Sequence, residues 1–326
     1  MRVLLTGAFG NVGKSSLREL LRRGHRVTCF DLKTKTNRRA AREFKGRVSV
    51  IWGDLRNREN VAIAVRDQDV VIHLAFIIPP LSEMRPDWAE EINVGGTRHL
   101  LDAIKAQPKP AKVIFSSSVA VFGPAGSQSL LRRASDPLRP TDHYTHHKVQ
   151  CEEMVRSSDL TWTILRLGAV SSPITAYIDP ILFEISLDTP IEFVDVRDVG
   201  LAMAKAVTCE AAWGRILLIG GGPDCQLSFR EYVKCNLEAI GLRMLPEEAF
   251  GPRPFYTNWM DTTKSQQLLK YQQHPFAEYV EETKASLGYR RSLIRIVDPL
   301  IRYALCTRSP YYRDHIRRRL GYEHLA

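Results

Sequence analysis

The sequence predicts an α/β fold, a doubly wound and mostly parallel sheet with a smaller C-terminal lobe, and three observations carry that prediction. Over the first 220 residues, short apolar runs alternate with longer segments of helical pattern. Such alternation builds a parallel sheet covered on both faces. The runs lack strict period-two alternation, as strands buried on both sides do. A turn carrying three glycines separates the first run from the first helical segment, where the chain must bend sharply.

In chain order, the expected strands are Arg2–Thr6, Arg26–Phe30, Val48–Trp52, Val70–Leu74, Lys112–Ser116, Thr161–Leu167 and Arg215–Ile219. Gly13–Arg23, Trp88–Ala106 and Tyr144–Ser157 are long enough for crossover helices. Pro- and Gly-rich pieces at Ile78–Pro80, Gly220–Pro223 and Phe250–Pro254 read as loops. The expected organisation is one α/β domain from 1–168 with 193–221. A lobe from 169–192 with 222–289 and a basic tail over 290–326 complete it.

The 326 residues, 44% hydrophobic and 25% charged, suit one large core or a large domain beside a small one. No window approaches the 18 or so uninterrupted apolar residues of a membrane span. Met1–Leu5 runs straight into the glycine turn, so no signal peptide is expected. Cys29, Cys151, Cys209, Cys225, Cys235 and Cys306 are scattered without a Cys-x-x-Cys pair, which fits reduced thiols in a cytoplasmic protein. The net charge of +10 is concentrated: Lys284–Ala326 holds ten Lys/Arg against three acids. A nearly neutral body argues against a nucleic-acid surface spread over the protein.

Thr6-Gly7-Ala8-Phe9-Gly10-Asn11-Val12-Gly13 follows the first strand and opens the first helix. Glycines let the backbone approach a pyrophosphate, and the helix start offers it free N–H groups. Alone, the glycines fit a ligand-free tight turn equally well. Asp31 changes the balance. It stands 18 residues after Gly13 at the end of the second strand, where a carboxylate accepts from adenosine ribose hydroxyls. It would repel a 2′-phosphate, so NAD is expected over NADP. Lys33, Lys35, Arg38 and Arg39 follow closely, and either offset that repulsion or form a solvated loop. Gly13-Lys14-Ser15 is not a P-loop, because position 8 is Ala.

Tyr144 and Lys148 are one helical turn apart on one face. A phenol with a reference pKa near ~10 needs a neighbouring ammonium to act as a base at neutral pH. Many helices carry this pair by chance. Lys112–Ser118 adds a strand that ends in hydroxyls, 26 residues before Tyr144, and a serine there can steady charge on a substrate oxygen. His143 and His147 have metal-ligand spacing without a third ligand and read as exposed histidines.

These residues resemble the extended short-chain dehydrogenase/reductase family, the group containing sugar-nucleotide epimerases and dehydratases. The matching pieces run in order: the glycine turn, Asp31, Asp54-Leu55, His73-Leu74-Ala75, Asn93-Val94-x-Gly96-Thr97, Ser116-Ser117-Ser118 and Phe122-Gly123. Tyr144-x-x-x-Lys148, Val196-Arg197-Asp198-Val199 and Asp261-Thr262-Thr263-Lys264 follow. The resemblance implies a Rossmann-like dinucleotide-binding domain with a substrate lobe, NAD as cofactor, a small-molecule substrate and a homodimer. It implies Tyr144 as acid/base, Lys148 on the nicotinamide ribose and Ser118 at the reacting oxygen. Gly7, Phe9, Gly10, Asn11, Val12, Gly13 and Asp31 would hold the cofactor. Asp54 and Leu55 would touch its adenine, and Ala75 would line its channel. Asn93 is expected to brace strand ends.

The chain departs from that family after Gly168. Ala169-Val170-Ser171-Ser172-Pro173 replaces the usual Tyr-Gly-Pro segment, and Ala169–Glu192 contains no Lys or Arg to hold a diphosphate. Its Val170, Ile174, Tyr177, Ile178, Ile181, Leu182, Phe183 and Ile185 fit either an apolar alcohol or ketone, or ordinary core. Three readings stay open: an epimerase or dehydratase, a stand-alone dehydrogenase or reductase, and a non-catalytic sensor that keeps the fold. In the tail, Leu293, Ile296, Val297, Leu300, Ile301, Ala304 and Leu305 fall at helical spacing, with a second helix expected from Pro299. They fit an interfacial helix on anionic lipid, peripheral to a membrane, or packing against the body or a second subunit.

Overall fold

The computed structural model describes residues 1–124, 131–171, 180–253 and 255–319. Ser172, Pro173, Ile174, Tyr177, Ile178, Pro254 and the tail beyond 319, which figure in the expectations above, lie outside the described residues. The seven expected strands form β1 (Arg2–Thr6), β2 (Arg26–Asp31), β3 (Ser49–Trp52), β4 (Val70–His73), β5 (Lys112–Ser118), β6 (Trp162–Leu167) and β7 (Ile216–Ile219). They make one sheet, in the order β7-β6-β5-β4-β1-β2-β3. Every pairing in it is parallel. The chain winds outward to β3 and then crosses back over β1 to β4. The order therefore reverses at the C-terminal ends of β1 and β4, where a crevice opens.

Val3, Leu4 and Leu5 of β1 and Val70, Val71 and Ile72 of β4 are completely buried, which explains the continuous apolar runs. The flanking helices include α1 (Asn11–Arg22), α2 (Gly96–Lys105), α3 (His143–Arg156) and α4 (Val196–Ala206). Helices α1 and α4 touch so closely that a Cβ on Gly200 would lie 2.4 Å from Ser15 Oγ. The helix expected over Trp88–Ala106 is present, with its winding changed along the way. A short helix, Pro86–Glu90, passes through a π-helical turn at Glu91–Gly95 into α2. Asn93 sits in that turn and brackets Ile77: its Oδ1 accepts from the Ile77 N–H at 2.7 Å, and its Nδ2 donates to the Ile77 carbonyl at 2.9 Å.

Beyond β6, Ala169–Val170 runs parallel to Pro190–Val194, which pairs antiparallel with Gln226–Ser228. Buried Glu192 joins these parts, accepting from the N–H of Gly222 and Met260 and from Gln226 Nε2. Helices α5 (Phe229–Ile240), α6 (Phe276–Leu287), α7 (Tyr289–Ile296), α8 (Asp298–Cys306) and α9 (Pro310–Arg319) follow. Pro299 occupies the first turn of α8, as expected. A second core of Phe183, Ile185, Ile191, Phe229, Leu237 and Leu305 gathers here, with Ile294 and Ile301 packed against it. Part of the tail's apolar pattern is therefore body packing.

Candidate active site and cofactor groove

At the crevice, Gly7 adopts φ +64° and lies against the Ala75 backbone, where a Cβ would come within 2.8 Å of Ala75 N. No side chain caps the start of α1, so its first N–H groups remain available to a phosphate. A groove of roughly 240 Å³ opens there, lined by Gly7, Gly10, Asp31, Asp54, Leu55, Ala75 and Phe76, among others. Other residues of the turn stand behind it. Gly13 is buried against the Gly7 carbonyl, and the Phe9 ring packs on Trp52 at 5.4 Å. Val12 packs into the core, and Asn11 Nδ2 reaches across to the Ser171 carbonyl at 2.7 Å.

Asp31 Oδ2 accepts from the Phe9 N–H at 2.9 Å, and Oδ1 accepts from the Leu32 N–H and Asn37 Nδ2. Burial pushes this carboxyl above its usual range, against the pull of those donors. Lys33, Lys35, Arg38 and Arg39 are exposed, and none forms an ion pair with Asp31. The floor is held by His73, buried between Thr6 Oγ1 at 2.7 Å and Thr97 Oγ1 at 3.0 Å. Thr97 gives its own proton to the Asn93 carbonyl, so it accepts from Nε2–H, and Thr6 donates to Nδ1. Thr6 Oγ1 in turn accepts from the N–H groups of Leu74 and Ala75, fixing the groove wall.

Tyr144 lies on the first turn of α3, which Asp142 caps through the Thr145 N–H at 2.7 Å. Glu83 caps the same turn from another segment, accepting from the N–H groups of Tyr144 at 3.0 Å and His143 at 3.1 Å. The Ser118 hydroxyl lies near the Tyr144 phenol, and its own oxygen accepts from the Ala120 N–H at 3.2 Å. Lys148 is buried one turn on; Nζ donates to the Ser116 carbonyl at 2.7 Å and lies 3.5 Å from the centre of the Phe76 ring. Phe76 also meets the Tyr144 ring edge-on at 5.9 Å, so one aromatic ring separates and orients both groups.

Burial pushes the Tyr144 phenol up to about 12, while the nearby Ser118 hydroxyl pulls the other way. Burial pushes Lys148 down to about 7. The expected lowering of the phenol by its ammonium neighbour is therefore outweighed in this structure. Desolvation weakens the charge that was meant to supply it. A second cavity of roughly 450 Å³ opens from Ser118 and Tyr144 toward the lobe. Ile181, Leu182, Ile185, Ile191, Phe229, Tyr232, Phe255 and Tyr256 give its wall an apolar character.

The profile of the NAD dependent epimerase/dehydratase family matches residues 3–220. The chain belongs to this family. As a member of an NAD-dependent enzyme family it has a groove that fits the cofactor: a Cβ-free approach at Gly10, an uncapped helix start and a carboxylate at Asp31. It is 32% identical over 165 residues to human 3 beta-hydroxysteroid dehydrogenase type 7, covering 50% of this chain and 43% of that one. Over 123 residues it is 34% identical to UDP-N-acetyl-alpha-D-glucosaminuronate decarboxylase of Bacillus cytotoxicus, covering 37% and 38%. The matches thus span less than half of either relative. Thermus thermophilus UDP-glucose 4-epimerase, solved with NAD, shares the fold at a TM-score of 0.73 and 24% identity, over 87% of this chain and 98% of that one.

Several residues of this family member's site carried no signal in the sequence. Glu83, Phe76 and Asn37 lie outside the motifs, and Phe229, Tyr232 and Phe255 come from segments far along the chain. Only Phe76, directly after Ala75, lay close enough to a motif to be suspected.

Proposed function

We propose that this protein is an NAD-dependent oxidoreductase that interconverts a secondary alcohol and a ketone on an apolar substrate, with Ser118, Tyr144 and Lys148 as its working groups. One observation carries this reading. The cavity into which Ser118 and Tyr144 open has no Lys or Arg among its described lining residues. Its only charged members are Glu83 and Asp142, both already bonded to the start of α3. A nucleoside diphosphate brought there would add negative charge beside two carboxylates with nothing to pair it. A hydrocarbon skeleton would instead bury itself against aliphatic and aromatic walls.

Tyr144 as the phenolate accepts the proton of the substrate hydroxyl during oxidation, and as the phenol returns it during reduction. Ser118, which lines the same cavity as Tyr144, steadies the same substrate oxygen as charge develops on it. Lys148 holds the nicotinamide ribose from its seat on the Ser116 carbonyl. Gly7, Gly10, Asp31 and Leu55 would hold NAD, which when bound would take the carbinol hydride on oxidation and give it back on reduction. The relative named as a 3 beta-hydroxysteroid dehydrogenase supports an apolar alcohol.

The purified protein with NAD is expected to form NADH with a hydroxysteroid or a long-chain secondary alcohol. Tyr144→Phe is expected to lower that rate by about 10²–10⁴-fold. Epimerisation of a UDP-hexose without net NADH, together with no turnover of any apolar alcohol, would refute the assignment.

A further inference from the structure

We propose that the outer face of α7 and α8 docks this protein on an anionic lipid surface. The inner side of these helices is fully used. Ile294, Ile301 and Leu305 enter the lobe core, and buried Asp298 holds Arg243 Nε at 2.6 Å. Arg291 donates to the carbonyls of Glu238 and Ala239, and Arg302 to that of Met244. These bonds fix the rotation of both helices about their axes. What they leave outward is apolar: Tyr289, Leu293, Ile296, Val297, Leu300 and Tyr303 are all exposed, Ile296 by 76% and Leu300 by 72%. Six large apolar side chains within fifteen residues form a patch that a monomer in water has no reason to keep.

The charge carried by the same stretch of chain says what covers it. Arg290, Arg295, Arg308, Arg313, Arg318 and Arg319 are exposed and form no ion pair among the described residues. Beside them lies a cleft of roughly 480 Å³ that combines Lys284, Arg291 and Arg295 with the apolar Ile296 and Pro299. Its two carboxylates are Glu238 and Asp298, and Asp298 is neutralised by Arg243. Apolar side chains that share their helix with exposed Arg290 and Arg295 match the boundary between acyl chains and phosphate headgroups, with arginine stems lying along the apolar zone and their heads in the polar one. A second copy pressed onto this face would set one arginine array against another. No helix among the described residues is long and apolar enough to cross a membrane, so the contact is interfacial. The proposal does not depend on the catalytic reading, and its test needs no substrate.

The full chain is tested by flotation with vesicles of phosphatidylcholine, alone or with phosphatidylglycerol, at low and high salt. The wild type is expected to float with the phosphatidylglycerol vesicles at low salt and to lose much of that binding at high salt. Leu293→Ser/Ile296→Ser/Leu300→Ser should weaken partitioning by at least about tenfold. Arg290→Glu/Arg295→Glu/Arg308→Glu should do the same and abolish the preference for anionic lipid. All six positions are exposed, and melting curves matching the wild type confirm that the variants fold. A wild type that stays unbound at low salt, or a serine variant that floats like it, overturns the proposal. An unbound wild type that sediments as a dimer, dissociated by the serine changes, overturns it in favour of self-association.

Discussion

Gly13 passes the carbonyl oxygen of Gly7 so closely that a Cβ at residue 13 would lie 2.1 Å from it and 2.7 Å from the Ala8 carbonyl carbon. At Gly10 the nearest atom to such a Cβ is 3.4 Å away, an ordinary contact. The two glycines therefore serve different ends. Gly13→Ala is expected to destabilise the protein by more than about 2 kcal/mol, because backbone must move. Gly10→Ala is expected to leave the melting temperature nearly unchanged while weakening NAD binding about tenfold or more, since the added methyl meets the pyrophosphate. Thermal melts and calorimetric NAD titration separate the two outcomes.

Asp31 accepts the Phe9 N–H and Asn37 Nδ2 at 2.9 Å each, so it shapes the glycine turn while also lining the groove. Asp31→Ala is expected to lose roughly 10–100-fold in NAD affinity, the worth of hydrogen bonds to a charged acceptor. Asp31→Asn is expected to narrow the gap between NAD and NADP by removing the charge that repels a 2′-phosphate. Equal affinities for the wild type and Asp31→Ala would show that the carboxylate plays no part in binding.

Lys148 is pushed down from 10.5 to about 7 by burial. Between about pH 7 and 10.5, the unfolded chain keeps a proton here that the folded, NAD-free protein has released. Stability should therefore rise with pH across that window. Lys148→Met is expected to flatten this rise and to lower turnover by about a hundredfold or more. Denaturant titrations at neutral and alkaline pH check the first effect. A rise of the same steepness in both proteins would mean that Lys148 stays charged when buried.

His73 is pushed down from 6.5 to about 3 by burial, with the nearby Lys148 charge adding to it. Below about pH 6.5 the unfolded imidazole takes a proton that the folded one refuses. Its stabilising contribution is thus complete above 6.5 and declines as pH falls toward 3. The slope is about 1.4 kcal/mol per pH unit for one proton. His73→Gln is expected to cost about 1–3 kcal/mol at neutral pH through its bonds to Thr6 and Thr97. It should also remove roughly one proton from the acid slope, measured by denaturant titration across pH.

Much of this fold was legible because its strands are buried on both faces and stand out as continuous apolar runs. Arg2–Thr6 is met to the residue, and Val48–Trp52 and Thr161–Leu167 each begin one residue late. The helix expected over Trp88–Ala106 widens to a π turn at Glu91–Gly95, where Asn93 brackets Ile77, a backbone partner from another loop that no local pattern announces. The same holds at the candidate site. Ser118, Tyr144 and Lys148 stand out by spacing, but Glu83 beneath Tyr144 and Phe76 beneath Lys148 are ordinary residues until the chain folds.

The apolar runs by themselves determined the strands of the sheet, and the ordered set of motifs from the glycine turn to Asp261-Thr262-Thr263-Lys264 pointed to the family, because these depend on local spacing and backbone freedom. Only the tertiary structure decided how strongly Tyr144 and Lys148 hold their protons, since desolvation is set by walls from distant segments. It also decided that Ile294 and Ile301 turn into the lobe while Ile296 and Leu300 face outward. A helical repeat defines an apolar face, but which side chains on it are covered depends on the body it meets.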